Sequence, residues 1–574
     1  MTRLALAVLL ALTALPARAS TDPLTLDYDL AADVDTLDPH WGYDAVSLFV
    51  VDQVYETLID FQGESLDSYE PRLATVVPSL QNGFLSKDGL TYAFPLRSGV
   101  KFHDGTVMTA EDVKYSLMRF LLLDRDGGPS GLLSEAFLGV RSAKDLPPAE
   151  VFARADKAIS IEGGALVLRL NKPFAPLLSI LANFAHVVSR NAVINSGGWD
   201  GKAATWVSRR NPPKELSALF AKANGTGPFV LEAWDKAAHR VRLVRNENYW
   251  RKPSVLARVN LLTVSNSLER RKRLAAGESD VAFVERRYLD QFEGMTGVSV
   301  IDGLPALESQ NVVLFNFGVN PAENPWIGSG KLGDGVPPDF FTDLEIRKAF
   351  ALSFDYAAFI KEGYRGKAIQ SRGPITAVLF GYNAKLKPWP FSLAQAEAAF
   401  KRARNGEVWE KGFALAVAYT EGNSERRIAC RLLKEGVEKV NPKFRVECRA
   451  LPESKLLDEM RARKLPAFVY RWIMDYPDPH NSVEPFLHSK GYFANSLGFS
   501  NPRADQMIES AEFELDPAKR RFLYYELQAM SIYDAPAIFT ADSYNVVVRR
   551  SKVLTWLYHP IQPFGTLYEV TKLP

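Results

Sequence analysis

The sequence predicts an α/β protein built from more than one domain, and three observations carry that expectation. At 574 residues the chain exceeds what one hydrophobic core usually fills. Its composition, 47% hydrophobic with 37 Gly and 35 Pro, is that of an ordinary globular protein. From about residue 342 onward, helical and strand periodicities alternate, the signature of layered helices and sheet. No internal repeat or low-complexity linker separates one part from the next, so the domains are expected to be interwoven rather than strung in a row.

Taken in order, the first element is not part of the fold. Arg3, an apolar run from Leu4 to Leu15, and Ala17-Arg18-Ala19 before Ser20 read as a secretory signal peptide cleaved after Ala19. The run is shorter than the roughly 20 apolar residues that span a bilayer. No cysteine follows it to carry a lipid, and no later segment is long and apolar enough to cross a membrane. LTLDYDLAAD then begins as a strand, and VSLFVVDQVYETLIDF has helical apolar spacing. Asp88-Gly89 opens a strand with Leu90, Tyr92, Phe94 and Leu96 on one face, and VKFHDG reads as a second short strand turning at His103-Asp104-Gly105. Thr109 precedes a helix, DVKYSLMRFLLL, with Glu111 and Asp112 in its first turn. Gly225-Thr226-Gly227-Pro228 is a turn leading into a hairpin, FVLEAW and HRVRLVRN. The cluster Glu269 to Arg273 reads as a solvated helix face. Helices and strands then alternate through DLEIRKAFALSFDYAAFIKEG, FSLAQAEAAFKRA, FALAVAYT, SERRIACRLLKEGVEKV and FRVECRA.

Charge and motif content exclude several functions. The chain holds 69 basic and 67 acidic residues; removing residues 1–19 takes away Arg3 and Arg18 and no acid, leaving 67 against 67. A nucleic-acid binder should carry a basic excess or stripe, and none is visible. There is no GxSxG elbow, HExxH helix or GxxxxGK[ST] loop, so no hydrolytic or nucleotide-binding centre is legible and no cofactor is expected. The seven histidines are scattered, and the triplets Asp38-Pro39-His40 and Asp478-Pro479-His480 read as turns rather than metal ligands. The two cysteines sit in the helix around Cys430 and the strand around Cys448, which run antiparallel through Asn441-Pro442. Cys430 lies about 14 Å back along the helix and Cys448 about 17 Å along the strand. A bridge is therefore feasible, and two separate buried thiols are an equally good reading.

Six stretches together resemble the family 5 extracellular solute-binding proteins of ABC importers, the dipeptide- and oligopeptide-binding proteins and their nickel-binding relatives. They are Thr36-Leu37-Asp38-Pro39-His40 followed by DQVYETLID; DGLTYAFPLRSGVKFHDGTVMTAEDVKYSLMR; GTGPFVLEAW with RNENYW; DLEIRKAFALSFD; RWIMDYPDPHNSVEPF; and YDAPAIF, in the family's order across nearly the whole mature chain. The resemblance implies a periplasmic binding protein-like α/β fold of two lobes, a hinge of two chain crossings, and an extra middle domain. One lobe would be discontinuous, near 20–53, 187–266 and 535–574; the middle domain would occupy 54–186 and the second lobe 267–534.

The same resemblance implies a site. In peptide-binding members the acid of the W-x-x-D segment pairs with the ligand's α-ammonium group, which maps here to Asp475 after Trp472. Backbone of Arg471, Trp472 and Ile473 would bond an extended peptide, and backbone of Tyr43, Asp44 and Ala45 would face it from the other lobe. Asp478, between two prolines, reads as a turn former; Asp104, Glu111 and Arg347 read as turn, capping and surface residues. The implied role is non-enzymatic: a monomer that captures a peptide and hands it to permease and ATPase subunits on separate chains. A nickel chelate, glutathione or another solute is the alternative ligand, and an exported hydrolase the alternative class.

Overall fold

A computed structural model of the chain describes residues 22–123 and 127–574. The signal peptide and cleavage point expected within residues 1–19 lie outside them. None of the described helices is long and apolar enough to cross a membrane.

A 13-stranded sheet organises the molecule, and one strand joins its two halves. In the first half, Phe229–Asp235, Arg240–Arg245, Arg258–Thr263, Thr25–Leu30 and Val281–Ala282 lie side by side. In the second, the order is Phe444–Leu451, Phe413–Thr420, Ala467–Ile473 and Glu308–Phe315. Ala541–Arg550 belongs to both. Its first residues, Ala541 to Ser543, pair with Ala368–Gln370, and Ala541 also meets Gln310. Residues Tyr544 to Arg550 pair with Val298–Pro305. The strands Val298–Pro305 and Glu308–Phe315 are themselves separated by only Ala306 and Leu307. The chain thus passes between the halves at residues 305–308 and again at 541–545.

Local sequence accounts for the elements. Phe413–Thr420 is almost entirely apolar and largely buried, as a strand packed on both faces should be, and it pairs in parallel with Phe444–Leu451 across the helix Ser424–Val440. A separate antiparallel sheet of Thr91–Pro95, Ala165–Arg169 and Ile159–Glu162 packs with the helices Ala110–Leu122 and Pro148–Ala158. Its core is continuous with that of the first half. Thr109 caps Ala110–Leu122 through a reciprocal box with Asp112, not Glu111.

Several expectations are corrected. The helix predicted through VSLFVVDQVYETLIDF stops at Val54, and Ile59–Phe61 is a strand. The cause is distant in sequence: the Gly227 amide takes the Val54 carbonyl at 2.9 Å, and a Cβ at Gly225 would sit 2.0 Å from that oxygen. VKFHDG forms only a single bridge, Lys101 to Val107. The basic cluster is a solvated face only in part: Glu269 and Lys272 are exposed, but Arg270 is fully buried and donates to the Phe283, Val264 and Ser265 carbonyls and to Glu285. Arg347 is likewise buried, donating to the carbonyls of Phe341, Thr342 and Asp534. Residues 267–305, assigned from the sequence to the second lobe, pair with the first half instead: Val281–Ala282 lies beside Thr25–Leu30, and Val298–Pro305 beside Tyr544 to Arg550. The open cysteine question resolves as a disulfide, with S–S 1.99 Å and Cα atoms 6.0 Å apart.

Candidate functional site

The late segment that carries Asp475 is held by its own next turn. The strand Ala467–Ile473 ends two residues before it, and the helix Pro479–Leu487 starts four residues after it. Pro479 occupies the first helical position, where its missing N–H costs nothing. Asp478 caps that helix by accepting from the His480 amide at 2.8 Å, and it accepts both terminal nitrogens of Arg520 at 2.7 and 2.8 Å. Its structural reading therefore holds. Tyr476 is buried and bonds His480 Nδ1 through its hydroxyl at 2.9 Å.

Asn481, in the first turn of the helix, clamps Asp475. Its Oδ1 accepts the Asp475 amide at 2.8 Å and its Nδ2 donates to Asp475 Oδ2 at 3.2 Å. Its carbonyl accepts Trp472 Nε1 at 2.7 Å. From the helix Leu177–Phe184, Asn183 Nδ2 donates to the Asp475 carbonyl at 2.8 Å. From the first half, the Tyr43 hydroxyl donates to Asp475 Oδ1. Among the described residues no lysine, arginine or histidine pairs with this carboxylate. Burial pushes the Asp475 carboxyl above its usual range, with the Tyr43 and Asn481 hydrogen bonds opposing. Burial, and then the carboxylate beside it, push the Tyr43 phenol well above its usual range. The phenol is therefore the donor and the carboxylate the acceptor.

Beside Asp475 runs an unpaired strand edge. Phe413–Thr420 pairs with Ala467, Phe468 and Val469, and Glu308–Phe315 covers the opposite side up to Ile473. Past Val469, the first of these sides has no partner strand among the described residues. Arg471, Trp472 and Ile473 belong to this stretch, and because successive backbone groups point to opposite edges, only alternate ones of the three face outward. Arg471 and Ile473 are exposed, and the Trp472 ring packs against Phe493 and Tyr492 at 5.8 and 5.9 Å. Such an edge binds any extended backbone, independent of its side chains.

The facing residues start the helix Ala45–Val54. Asp44 is its cap, accepting from the Ser47 amide at 2.8 Å, while Tyr43 and Ala45 are exposed. The structure brings Tyr43 to Asp475 directly; it shows no contact of Asp44 or Ala45 with the second half. Asn481 and Asn183 went unread in the sequence. The first has a local signal, an Asn in the first turn of a Pro-initiated helix behind the acid. The second lies 292 residues from its partner and has none.

The other predicted polar groups are structural. Asp38 and Arg119 form a buried ion pair, and His40 bridges Arg119 and the His186 carbonyl. The two Asp-Pro-His triplets do not meet. Among the described residues no three metal-ligating side chains converge.

Comparison with known proteins places the chain in a family. The family description "Bacterial extracellular solute-binding proteins, family 5 Middle" matches residues 68–494. The chain is 23% identical over 534 residues to the probable D,D-dipeptide-binding periplasmic protein DdpA of Escherichia coli, covering 92% of this chain and 91% of that one. It is 25% identical over 514 residues to di/tripeptide-binding protein 2 of Pseudomonas aeruginosa, covering 87% of each. Its fold superposes with a TM-score of 0.69 and 21% identity on the periplasmic binding protein DppA of Helicobacter pylori in complex with the peptide STSA, over 96% of this chain and 98% of that one. A family match across well over half of the sequence, on a fold whose large sheet has two halves joined by one strand, makes this chain a member of the bacterial extracellular solute-binding proteins, family 5.

Proposed function

We propose that the chain is the periplasmic substrate-binding component of an ABC importer and that it captures di- and oligopeptides. The observation that carries this reading is the free edge at residues 470–473 ending on a half-buried carboxylate with no cationic partner among the described residues. The edge supplies sequence-independent hydrogen bonds to an extended peptide, and Asp475 receives its α-ammonium and so sets its end and register. An ammonium buried without such a partner would be strongly disfavoured. The backbone of Tyr43, Asp44 and Ala45 meets the peptide from the other lobe, at the exposed start of Ala45–Val54.

The lobes close about the two crossings at 305–308 and 541–545, with residues 267–305 moving with the first lobe. Residues 1–19 direct export and are removed after Ala19. The protein acts as a monomer without catalysis, and the membrane and ATPase subunits are other chains. Native mass spectrometry of freshly purified protein tests the reading. Co-purified peptides support it; a metal chelate or other non-peptide solute bound in their place, or saturable peptide hydrolysis, overturns it.

A further inference from the structure

A sizeable cavity lies apart from the site just described. It has a volume of about 580 Å³, and neither Tyr43 nor Asp475, nor any residue between 267 and 540, lines it. It lies where the C-terminal end of Ala45–Val54 meets the turn around Tyr249 and the C-terminal hairpin of Leu557–His559 and Gln562–Thr566. Asp52 lies nine residues along the chain from Tyr43, roughly 14 Å along the helix axis, while Ala182 of the lining adjoins Asn183, which bonds Asp475. Its size falls in the range of small-molecule sites, roughly 300–1,000 Å³.

The lining has a consistent chemistry. Asp60 and Glu70 are each answered by Arg72 at 3.0 Å. Two further carboxylates have no such answer. Glu56 is buried and accepts only neutral donors, the Thr226 and Tyr249 hydroxyls at 2.7 Å each and Trp250 Nε1 at 2.9 Å. Asp52 accepts from His186 at 2.9 Å; no described lysine or arginine pairs directly with either acid, and the Arg72 guanidinium acts on Glu56 only at longer range. Burial raises the affinity of both for a proton. Around them stand aromatic rings: Phe61 stacked on His559 with centroids 4.7 Å apart, Tyr249 edge-on to Tyr568 at 5.5 Å, and Trp556. This chain already sets one cation on that wall, the Arg251 guanidinium 4.9 Å from the Tyr568 ring centre. Five carboxylates, Asp52, Glu56, Asp60, Glu70 and Glu569, against two arginines, Arg72 and Arg251, in a lining rich in aromatic side chains, favour an organic cation over a neutral or anionic guest, because ring quadrupole and surplus carboxylates attract the same charge. An inorganic cation is a poorer match, since no three ligating side chains converge among the described residues.

We infer that this cavity is a second binding site, for a small organic cation with an ammonium or guanidinium head, distinct from the peptide cleft and independent of the reading given to it. Agmatine, which carries both heads on a short alkyl chain, is the probe. Calorimetric titration of the full-length mature protein should show saturable binding that persists in Asp475→Asn. It should weaken by at least about tenfold, 1.4 kcal/mol, in Asp52→Asn. A second variant, Gln562→Arg, places an internal guanidinium at a half-exposed lining position and should abolish binding while deleting only the 3.3 Å bond from the Thr566 hydroxyl to Gln562 Oε1. It decides the matter if Asp52→Asn does not fold. Absence of saturable binding in the millimolar range, equal binding of neutral butanediol, or binding lost in Asp475→Asn and kept in the two cavity variants would each overturn the inference.

Discussion

The Tyr43 hydroxyl donates to the Asp475 carboxylate across 432 residues of chain, joining the two half-sheets at one hydrogen bond. This pair occupies the place proposed for a ligand's ammonium group. A ligand must therefore displace a neutral donor before it can supply a charged one.

The first prediction follows from that competition. Tyr43→Phe removes the internal donor and keeps the ring that packs edge-on to Phe184. A net hydrogen bond contributes roughly 0.5–1.5 kcal/mol, so peptide affinity should rise by about twofold to tenfold. Calorimetry on both proteins checks it. A tenfold loss would instead make the hydroxyl a ligand contact.

The contrast between what the sequence disclosed and what it hid has a physical basis. Thr109 and the Asp88-Gly89 turn were legible because capping and tight turns are decided within four residues. The free edge at Arg471 to Ile473 was reached only through resemblance, since pairing depends on where Phe413–Thr420 ends. Arg270 and Arg347 were misread because charge suggests a surface. Each buries its guanidinium by satisfying carbonyls that would otherwise go unpaired, a capacity that comes from five fixed donors. The truncated first helix was hidden for the same reason as Asn183: the Gly227 amide that takes the Val54 carbonyl lies far away in sequence.

A second prediction concerns the disulfide. Cys430 and Cys448 are separated by 18 positions, and closing a loop of that length restricts the unfolded chain by about 3 kcal/mol. Replacing both by serine should lower the denaturant midpoint accordingly. Peptide affinity should stay within about twofold, because Phe444–Leu451 is the outermost strand and does not border the free edge. A large affinity loss at unchanged fold would show that the bridge sets the cleft geometry.

A third prediction concerns pH. Burial, and then the neighbouring Glu135, push the Glu512 carboxyl up from 4.5 to about 8, with Arg141 opposing. The folded protein thus holds a proton that the unfolded chain releases above pH 4.5. Stability from this group is present at low pH and is lost as pH rises toward about 8. His480, 3.7 Å away, is pushed down to about 4 by burial, so its own contribution changes only below its ordinary value of 6.5. Denaturant midpoints of the wild type should therefore fall between about pH 6.5 and 8.5, and Glu512→Gln should reduce that slope, leaving the part due to Asp542, which burial pushes up to about 7. An unchanged slope in the variant would assign the proton to another group.

The final prediction tests the carboxylate itself. Asp475→Asn keeps the shape and the Asn481 clamp on the backbone amide, and it removes the charge. A ligand ammonium would then be desolvated without its counter-ion. Losing one partner of a buried charge pair costs about 2–5 kcal/mol, or roughly 30-fold to several thousand-fold in affinity. An exposed pair would cost under about 1 kcal/mol, so the size of the loss reports burial. N-acetylating the peptide deletes the same interaction from the other side. The two changes should therefore not add: acetylated peptide should bind wild type and variant alike, and both about as weakly as free peptide binds the variant. Calorimetry on the four combinations gives the coupling directly. If Asp475→Asn binds free peptide within about threefold of wild type, the carboxylate does not receive the ammonium, and the Tyr43 contact is then only a latch between the lobes.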